Sequence, residues 1–291
     1  MATYCRAFCN IGVAYLKFGR GDIHIYYLFS VKLQLFMLIQ PMCRTLCLTL
    51  LSVMANVNRE HVFRFKQFEV RNRMSAMKVG TDGVLLGAWC PVAGCRRVLD
   101  IGAGTGLISL MIAQREPDAF IDAVEIERDA AAEARDNFDS SPWSDRLRVI
   151  EADFNRWAAG IDAPYDLIVS NPPYFNSELK APDASRALAR HGEGLTYDSI
   201  VKAAASGLLS PEGRLCMISP VEREGDIMFS AAMARMSLAR LTRVVTRPST
   251  GRVTRLLWEL SLGDAVTVED VVTVGSPDYN DLVSAFYLDK S

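Results

Sequence analysis

The hydrophobic and polar positions of residues 95–291 alternate between two kinds of segment. Short apolar runs typical of buried strands are followed by longer segments typical of helices. Strands are predicted at 97–101, 119–125, 147–151, 165–169, 213–219, 240–246 and 253–261. Helices are predicted at 107–114, 128–138, 197–208, 227–239 and 278–288. This order predicts an α/β fold, with helices on both faces of a mostly parallel sheet.

The last two predicted strands are joined by a short turn, residues 247–251. A parallel crossover needs a dozen or more residues, so these strands cannot be parallel neighbours. We therefore expect one reversed strand at an edge of the sheet. Because no repeat or low-complexity linker interrupts residues 54–291, they are predicted to form one domain.

Residues 1–53 differ from the rest of the chain. They hold four of the seven cysteines and five basic residues against one acid. Lys32 and Arg44 break the apolar stretches, so a membrane-spanning helix of about 20 apolar residues does not fit, and neither does a signal peptide. The pattern favours a dispensable extension outside the fold, with a start at Met54, over a membrane-associated or targeting segment or a structural element.

Composition limits the classes of function. The chain has 291 residues, 50% hydrophobic and 23% charged, which is typical of a globular protein with a sizeable core. Residues 54–291 carry more acidic than basic side chains. They can therefore bind nucleic acid only through a local basic patch. Cys90 and Cys95 lack a second pair of ligands for zinc, so no metal site is predicted and reduced thiols in a cytoplasmic protein are expected.

A glycine-rich turn follows the first predicted strand. Gly102, Gly104 and Gly106 recur at every second position after Asp100. Such a turn lets a ligand approach closely, and the next helix offers free N–H groups to an anion such as a carboxylate. The spacing differs from the G-x-G-x-x-G of dinucleotide-binding proteins. Alone, the turn is a weak signal that a purely structural role also explains.

Two acids follow at the ends of the next two predicted strands. Glu125 lies about 20 residues beyond the glycines, where a carboxylate can accept hydrogen bonds from ribose hydroxyls. Asp153 follows the third strand and is placed to take an adenine amino group. Either acid alone is explained as a solvated loop residue, but open sheets bind ligands at successive strand ends.

Asn171-Pro172-Pro173-Tyr174 follows the fourth predicted strand. Consecutive prolines fix the backbone and remove N–H donors. The Asn171 side-chain oxygen and the Pro172 carbonyl can then hold an amino group with its lone pair aimed at a methyl sulfonium, while Tyr174 stacks on a base. Together with the glycine turn, this motif indicates an amino-group methyltransferase that uses S-adenosylmethionine.

Basic residues in three parts of the chain are candidates for phosphate contacts, although solvated surface side chains explain each of them about as well. The late hairpin also carries Arg243 and Arg255. The candidates for RNA binding are Lys78, Arg186, Arg190, His191, Arg247 and Arg252.

Five segments together resemble the bacterial tRNA1(Val) (adenine(37)-N6)-methyltransferase family. The resemblance covers the chain from Phe63 to the C terminus, and its most family-specific part is Lys78-Val79-Gly80-Thr81-Asp82-Gly83. The five segments are residues 65–68, 77–89, 100–106, 171–175 and 189–191.

The resemblance implies a Rossmann-like, seven-stranded methyltransferase fold, S-adenosylmethionine as cofactor and a tRNA adenosine beside the anticodon as substrate. Adenine N6 would attack the sulfonium methyl directly, after the base has been turned out of the loop. Thr81 and Asp82 would close over the methionine end of the cofactor. No stable membrane association is expected, and a monomer is favoured. The expected cofactor-binding residues are Thr81, Asp82, Asp100, Gly102, Gly104, Gly106, Glu125, Asp153 and Asn171, and the expected catalytic residues are Asn171, Pro172 and Tyr174.

Other substrates and classes remain open at this point. The same Asn-Pro-Pro-Tyr chemistry serves glutamine amides of release factors and guanine amino groups of ribosomal RNA. Release-factor enzymes usually carry a helical N-terminal domain, for which residues 54–91 are too short. A nucleotide-binding oxidoreductase would need the other glycine spacing, and a non-catalytic RNA-binding module leaves the Asn-Pro-Pro-Tyr turn unexplained.

Removing residues 1–53 is expected to leave a folded protein with the activity of the full chain, because every motif lies after Met54. An apolar segment without a partner is also an aggregation liability, so the shorter chain should express better. Expression yield and methyl transfer by the two chains test this expectation. Loss of folding or activity on truncation would show that the segment is a working part of the protein.

Overall fold

A computed structural model of the protein describes residues 62–73, 79–161, 163–173 and 194–288. All of them belong to one of the two units into which the chain divides, His61–Ser291. The strands are β1 (Val62–Arg64), β2 (Glu69–Arg71), β3 (Arg97–Ile101), β4 (Phe120–Glu125), β5 (Leu147–Glu151), β6 (Tyr165–Ser170), β7 (Leu209–Pro220), β8 (Ser237–Val245), β9 (Val253–Ser261) and β10 (Val268–Thr273). The α-helices are α1 (Thr81–Trp89), α2 (Leu107–Arg115), α3 (Arg128–Asp139), α4 (Phe154–Ala158), α5 (Tyr197–Ala203), α6 (Glu224–Met233) and α7 (Pro277–Val283).

Eight strands from the described part of the chain form one sheet in the order β10-β8-β9-β7-β6-β3-β4-β5. All of them run in the direction of β3 except β9, which is antiparallel to both of its neighbours, β7 and β8. The predicted α/β architecture with a mostly parallel, Rossmann-like sheet is therefore confirmed. The hairpin β1-β2 forms a separate two-stranded sheet.

The position of the reversed strand differs from the prediction. β9 lies inside the sheet between β7 and β8, and β10 forms the edge as an eighth strand beyond the seven expected. The short turn between β8 and β9 correctly indicates that they are antiparallel, but β9 also pairs with β7, which is far away in sequence. β10 was not predicted because its side chains are mostly exposed and its centre is acidic, so it shows no clear apolar pattern.

The sheet separates two hydrophobic clusters, as expected when helices cover both faces. Side chains alternate between the faces along each strand. Val98 and Leu167 join the cluster under α1, α2 and α7, whereas their neighbours Leu99 and Ile168 join the cluster under α4, α5 and α6. These central strands are buried on both sides, which explains their nearly continuous apolar sequences.

Several predicted helix boundaries are wrong by a few residues. α6 ends at Met233 rather than at residue 239, because Arg235 adopts a left-handed backbone conformation (φ 57°) and residues 237–239 join β8. Thr81 and Asp82, expected in a turn, form the first turn of α1. Within the described ranges, no helix is both long and apolar enough to cross a membrane.

Candidate active site

The two sequence motifs lie side by side at the carboxyl edge of the sheet. Ile101 at the end of β3 is in register with Val124 on one side and Ser170 on the other. Gly102 and Asn171 therefore leave neighbouring strands about 5 Å apart. The buried Ser170 hydroxyl donates a hydrogen bond of 2.8 Å to the Ile101 carbonyl, which locks the two strand ends together.

The glycine turn needs its glycines for reasons that lie within the chain. Gly102, Gly104 and Gly106 have φ values of 72°, 57° and 79°, a region that other residues rarely adopt. A Cβ on Gly106 would lie 2.4 Å from the Phe138 ring, and one on Gly102 would lie 3.1 Å from Leu195. Glycines were predicted here because they let a ligand approach closely. At Gly106 there is a further reason, since a side chain would collide with Phe138 of α3.

Glu125 holds the glycine turn from the end of β4. The residue is buried, only 7% exposed. Oε2 accepts a hydrogen bond of 2.8 Å from the Gly104 N–H, and Oε1 accepts one of 2.9 Å from the Glu127 N–H. Each oxygen has a further lone pair, so the same carboxylate can fix the turn and accept ligand hydroxyls.

Asp100 is fully buried directly beneath the turn. Oδ2 accepts a hydrogen bond of 2.7 Å from the Ser109 hydroxyl, whereas Oδ1 has no partner among the residues that the structure describes. Burial raises the pKa of Asp100 from 3.8 to about 7, against the lowering effect of the Ser109 hydrogen bond. The site therefore contains a buried acid that titrates near neutrality and has an open acceptor.

We expect the stability of the ligand-free protein to fall as the pH rises from 5 to 7, in part because of Asp100. In this range the native carboxyl keeps its proton while the unfolded one has ionised, so the native state binds more protons and loses stability with rising pH. The Asp100→Asn variant lacks this carboxyl. Over the same pH range its free energy of unfolding should therefore fall by roughly 2–3 kcal/mol less than that of wild type. Urea unfolding at several pH values measures it, with the exposed Asp129→Asn as control. Parallel pH profiles for wild type and Asp100→Asn would refute the assignment.

The other predicted acids have hydrogen-bond partners within the fold. Asp153 caps α4, with Oδ1 accepting a hydrogen bond of 3.1 Å from the Arg156 N–H. Asp82 Oδ2 accepts one of 2.8 Å from Arg255 Nε at the start of β9. Asp82 is thus bound to a strand of the sheet. Because Arg255 forms this ion pair, it is not a phosphate contact.

The residues of the proline turn are placed at the end of β6. Asn171 is half-buried, Pro172 is buried and Pro173 is exposed. Five further predicted site residues lie outside the described residues, so their positions remain predictions. They are Lys78, Tyr174, Arg186, Arg190 and His191.

The arginines of the late hairpin divide into two groups. Arg243 lies 2.8 Å from Glu224 and 3.6 Å from Glu269, so it is part of a surface ion-pair cluster rather than an open phosphate contact. Arg247 and Arg252 are exposed in the turn between β8 and β9, at the same sheet edge as Asn171. Within the described ranges, the ion pair recorded for Arg252 is a distant one, 4.0 Å from Glu222.

Three buried polar residues beside the site were missed because they belong to no motif. They are Ser109, Ser170 and Asn137, and each makes a hydrogen bond to a strand or to the glycine turn. A signal did exist for the two serines, which lie within or directly after apolar runs. A polar residue in such a place needs a buried hydrogen-bond partner.

Comparison with known proteins identifies relatives of this site. Residues 75–229 match the family model for the methyltransferase small domain. The tRNA1(Val) (adenine(37)-N6)-methyltransferase of Aeromonas hydrophila is 44% identical over 239 residues, covering 80% of this chain and 99% of that protein. The protein of the same description from Bacteroides thetaiotaomicron is 40% identical over 233 residues, covering 78% of this chain and 97% of that protein.

A solved structure supports the fold alone. A protein described as a predicted O-methyltransferase from Agrobacterium tumefaciens superposes with a TM-score of 0.55 at 23% sequence identity. The superposition covers 70% of this chain and 96% of that protein. The fold is thus shared with a protein that has diverged widely in sequence.

Proposed function

Since the chain belongs to the tRNA1(Val) (adenine(37)-N6)-methyltransferase family, we propose that it transfers a methyl group from S-adenosylmethionine to N6 of the adenosine at position 37 of a tRNA1(Val)-type tRNA. The observation that carries this proposal is the register of β3 and β6, which puts the glycine turn and Asn171 on neighbouring strand ends. A cofactor held by one turn would meet an amino group held by the other.

The residues at the carboxyl edge fit S-adenosylmethionine. The left-handed glycine turn leaves backbone N–H groups at the start of α2, where a carboxylate is favoured. Glu125 offers carboxylate oxygens to the ribose hydroxyls, and Asp153 retains an oxygen for the adenine amino group beyond the one that caps α4. The open Oδ1 of Asp100 matches a cationic centre with N–H donors, such as the ammonium of the methionine moiety.

The chain's own contribution to the reaction is alignment. When bound, the cofactor supplies an electrophilic methyl group. Asn171 Oδ1 and the Pro172 carbonyl would accept hydrogen bonds from the N6 amino group and direct its lone pair toward that methyl. The N6–carbon bond would form as the methyl group leaves the sulfur, and the methylated amino group would then release a proton to solvent. No strong base is needed, because the amino group becomes acidic as it gains the methyl.

The exposed arginines of the β8-β9 turn are proposed to contact the tRNA backbone. They lie two to three strand positions from β6, so about 10–15 Å from the target base and near the nucleotides that flank it. Phosphate contacts fix the position of a nucleic acid without reading its sequence. This role suits a chain whose residues 54–291 carry more acidic than basic side chains, so that nucleic acid must be held at particular basic positions.

Changing both Arg247 and Arg252 to alanine is expected to raise the KM for tRNA about three- to tenfold. The slope of the logarithm of tRNA affinity against the logarithm of salt concentration should fall by about two, because two phosphate contacts are lost. Cofactor affinity should stay unchanged. Steady-state kinetics at several salt concentrations measure both effects. Arg148→Ala is the matched control, because Arg148 is similarly exposed but lies on β5, away from the carboxyl edge. Equal KM values for the double variant and the control would refute the contact.

Two measurements test the proposed substrate and cofactor. Calorimetry should show that the protein binds S-adenosylmethionine and not a nicotinamide dinucleotide. A tRNA1(Val) transcript should accept methyl groups, and the same transcript with guanosine at position 37 should not. Methylation of both transcripts to the same extent would place the target elsewhere.

A further inference from the structure

Helix α3 carries two buried polar side chains one turn apart on its inner face. Glu133 is 3% exposed and Asn137 is 1% exposed. The Asn137 amide nitrogen donates hydrogen bonds to the carbonyls of Arg71 (3.0 Å) and Thr105 (2.9 Å). Its oxygen accepts a hydrogen bond of 2.8 Å from the Arg71 N–H.

These three bonds use both N–H groups and the oxygen of one amide side chain. They connect α3 to β2, 66 residues earlier in the chain, and to the glycine turn, 32 residues earlier. Two carbonyls and one N–H surround the amide, so only one of its two flipped orientations satisfies all three partners. A buried amide that lost these partners would be costly, which keeps the bridge in a single geometry.

Neighbouring contacts hold the same two segments. Glu133 accepts a hydrogen bond from the Arg73 N–H, which adds a second side-chain contact between α3 and the backbone after β2. Phe138, next to Asn137, covers Gly106 so closely that a Cβ there would collide with its ring. The inner face of α3 therefore fixes the second half of the glycine turn from below.

We propose that Asn137 is a positioning residue for the cofactor. It holds the Thr105 carbonyl and so fixes the peptide unit whose Gly106 N–H donates a hydrogen bond of 2.9 Å to the Ala103 carbonyl and closes the glycine turn. This inference rests on the proposed function, because it assumes that the glycine turn binds S-adenosylmethionine. Thr105 lies between Gly104, whose N–H is bound by Glu125, and Gly106 at the start of α2. Together Asn137 and Glu125 fix the turn from two sides. Through the same amide, cofactor binding is coupled to the backbone of Arg71.

Calorimetric titration with S-adenosylmethionine tests the role of Asn137. Asn137→Ala should weaken cofactor binding about tenfold or more, since the turn loses a buried hydrogen bond that sets its geometry. The kcat at saturating cofactor and the KM for tRNA should stay within about threefold of wild type, because Asn171 and the β8-β9 turn are untouched.

A matched control separates positioning from general stability. Thr242→Val also breaks one buried side-chain hydrogen bond, the 2.8 Å bond from Trp89 Nε1, but at β8 and the end of α1. It should lower the melting temperature while leaving cofactor affinity at the wild-type value. Equal affinities of Asn137→Ala and wild type, or an equal loss in the Thr242→Val control, would overturn the inference. If wild type itself binds no S-adenosylmethionine, the proposed function fails instead.

Hydrogen exchange on the unaltered protein gives a second test, which decides the matter if Asn137→Ala does not fold. Addition of S-adenosylmethionine should slow exchange at the glycine turn and also at the amides of Arg71 and Arg73, which α3 holds. The amides of β10, at the far edge of the sheet, should not change. Protection of the glycine turn without protection at Arg71 and Arg73 would show that the bridge carries no coupling.

Discussion

Asn171→Ala is expected to lower methyl transfer by about 10²–10³-fold or more while cofactor affinity stays close to the wild-type value. Asn171 follows β6 directly and is half-buried at the sheet edge beside the glycine turn. Its side-chain oxygen is proposed to hold the target amino group. Without that acceptor the amino group loses its alignment with the methyl group, so the loss should appear in kcat.

Single-turnover assays with saturating tRNA and cofactor measure the effect on the chemical step, and calorimetry measures cofactor binding. Asn280→Ala is a suitable control, because Asn280 is an exposed asparagine on α7, which follows the edge strand β10, four strand positions from β6. Wild-type turnover in Asn171→Ala, with the variant folded, would sink the assignment of the target site.

Gly104→Val is expected to weaken S-adenosylmethionine binding by about 10²-fold or more. Gly104 has a φ of 57°, where a β-branched residue is strongly disfavoured, and its N–H is bound by Glu125. A valine at this position would distort the turn that is proposed to receive the cofactor. Calorimetry on the folded variant gives the affinity directly.

Gly94→Val is the matched control for backbone strain. Gly94 has a φ of 79° in the turn before β3, and a Cβ there would meet nothing within 4 Å. Both variants should lose stability, which thermal unfolding reports, but only Gly104→Val should lose cofactor affinity. If Gly104→Val binds as tightly as Gly94→Val, the glycine turn has a structural role alone.

The central part of the fold was predictable because each strand carries its own signal. β3 and β6 are buried on both faces, so their sequences are nearly continuous apolar runs that stand out without any knowledge of their neighbours. The position of β9 was not predictable, since pairing with β7 depends on a contact between remote segments. β10 depends on its pairing with β8 and has an acidic, exposed sequence.

The candidate site shows the same division. Gly102 and Asn171 follow strands and Glu125 ends one, so the rule that open sheets bind ligands at strand ends brings them together from the sequence alone. Partners fixed by tertiary contact were not foreseen, such as the pairing of Asp82 with Arg255, 173 residues apart. Asn137 was missed for the same reason, because a single asparagine in an alanine-rich helix gives no hint of the backbone groups it binds.

The central claim is most directly tested by transfer of a tritiated methyl group from S-adenosylmethionine to three candidate substrates offered side by side: total tRNA, ribosomal RNA and release factor. We predict label in tRNA, recovered after nuclease digestion as N6-methyladenosine from position 37 of tRNA1(Val), and its loss with Asn171→Ala. Label in ribosomal RNA or release factor instead, or label in tRNA that survives the Asn171→Ala change, would contradict the account.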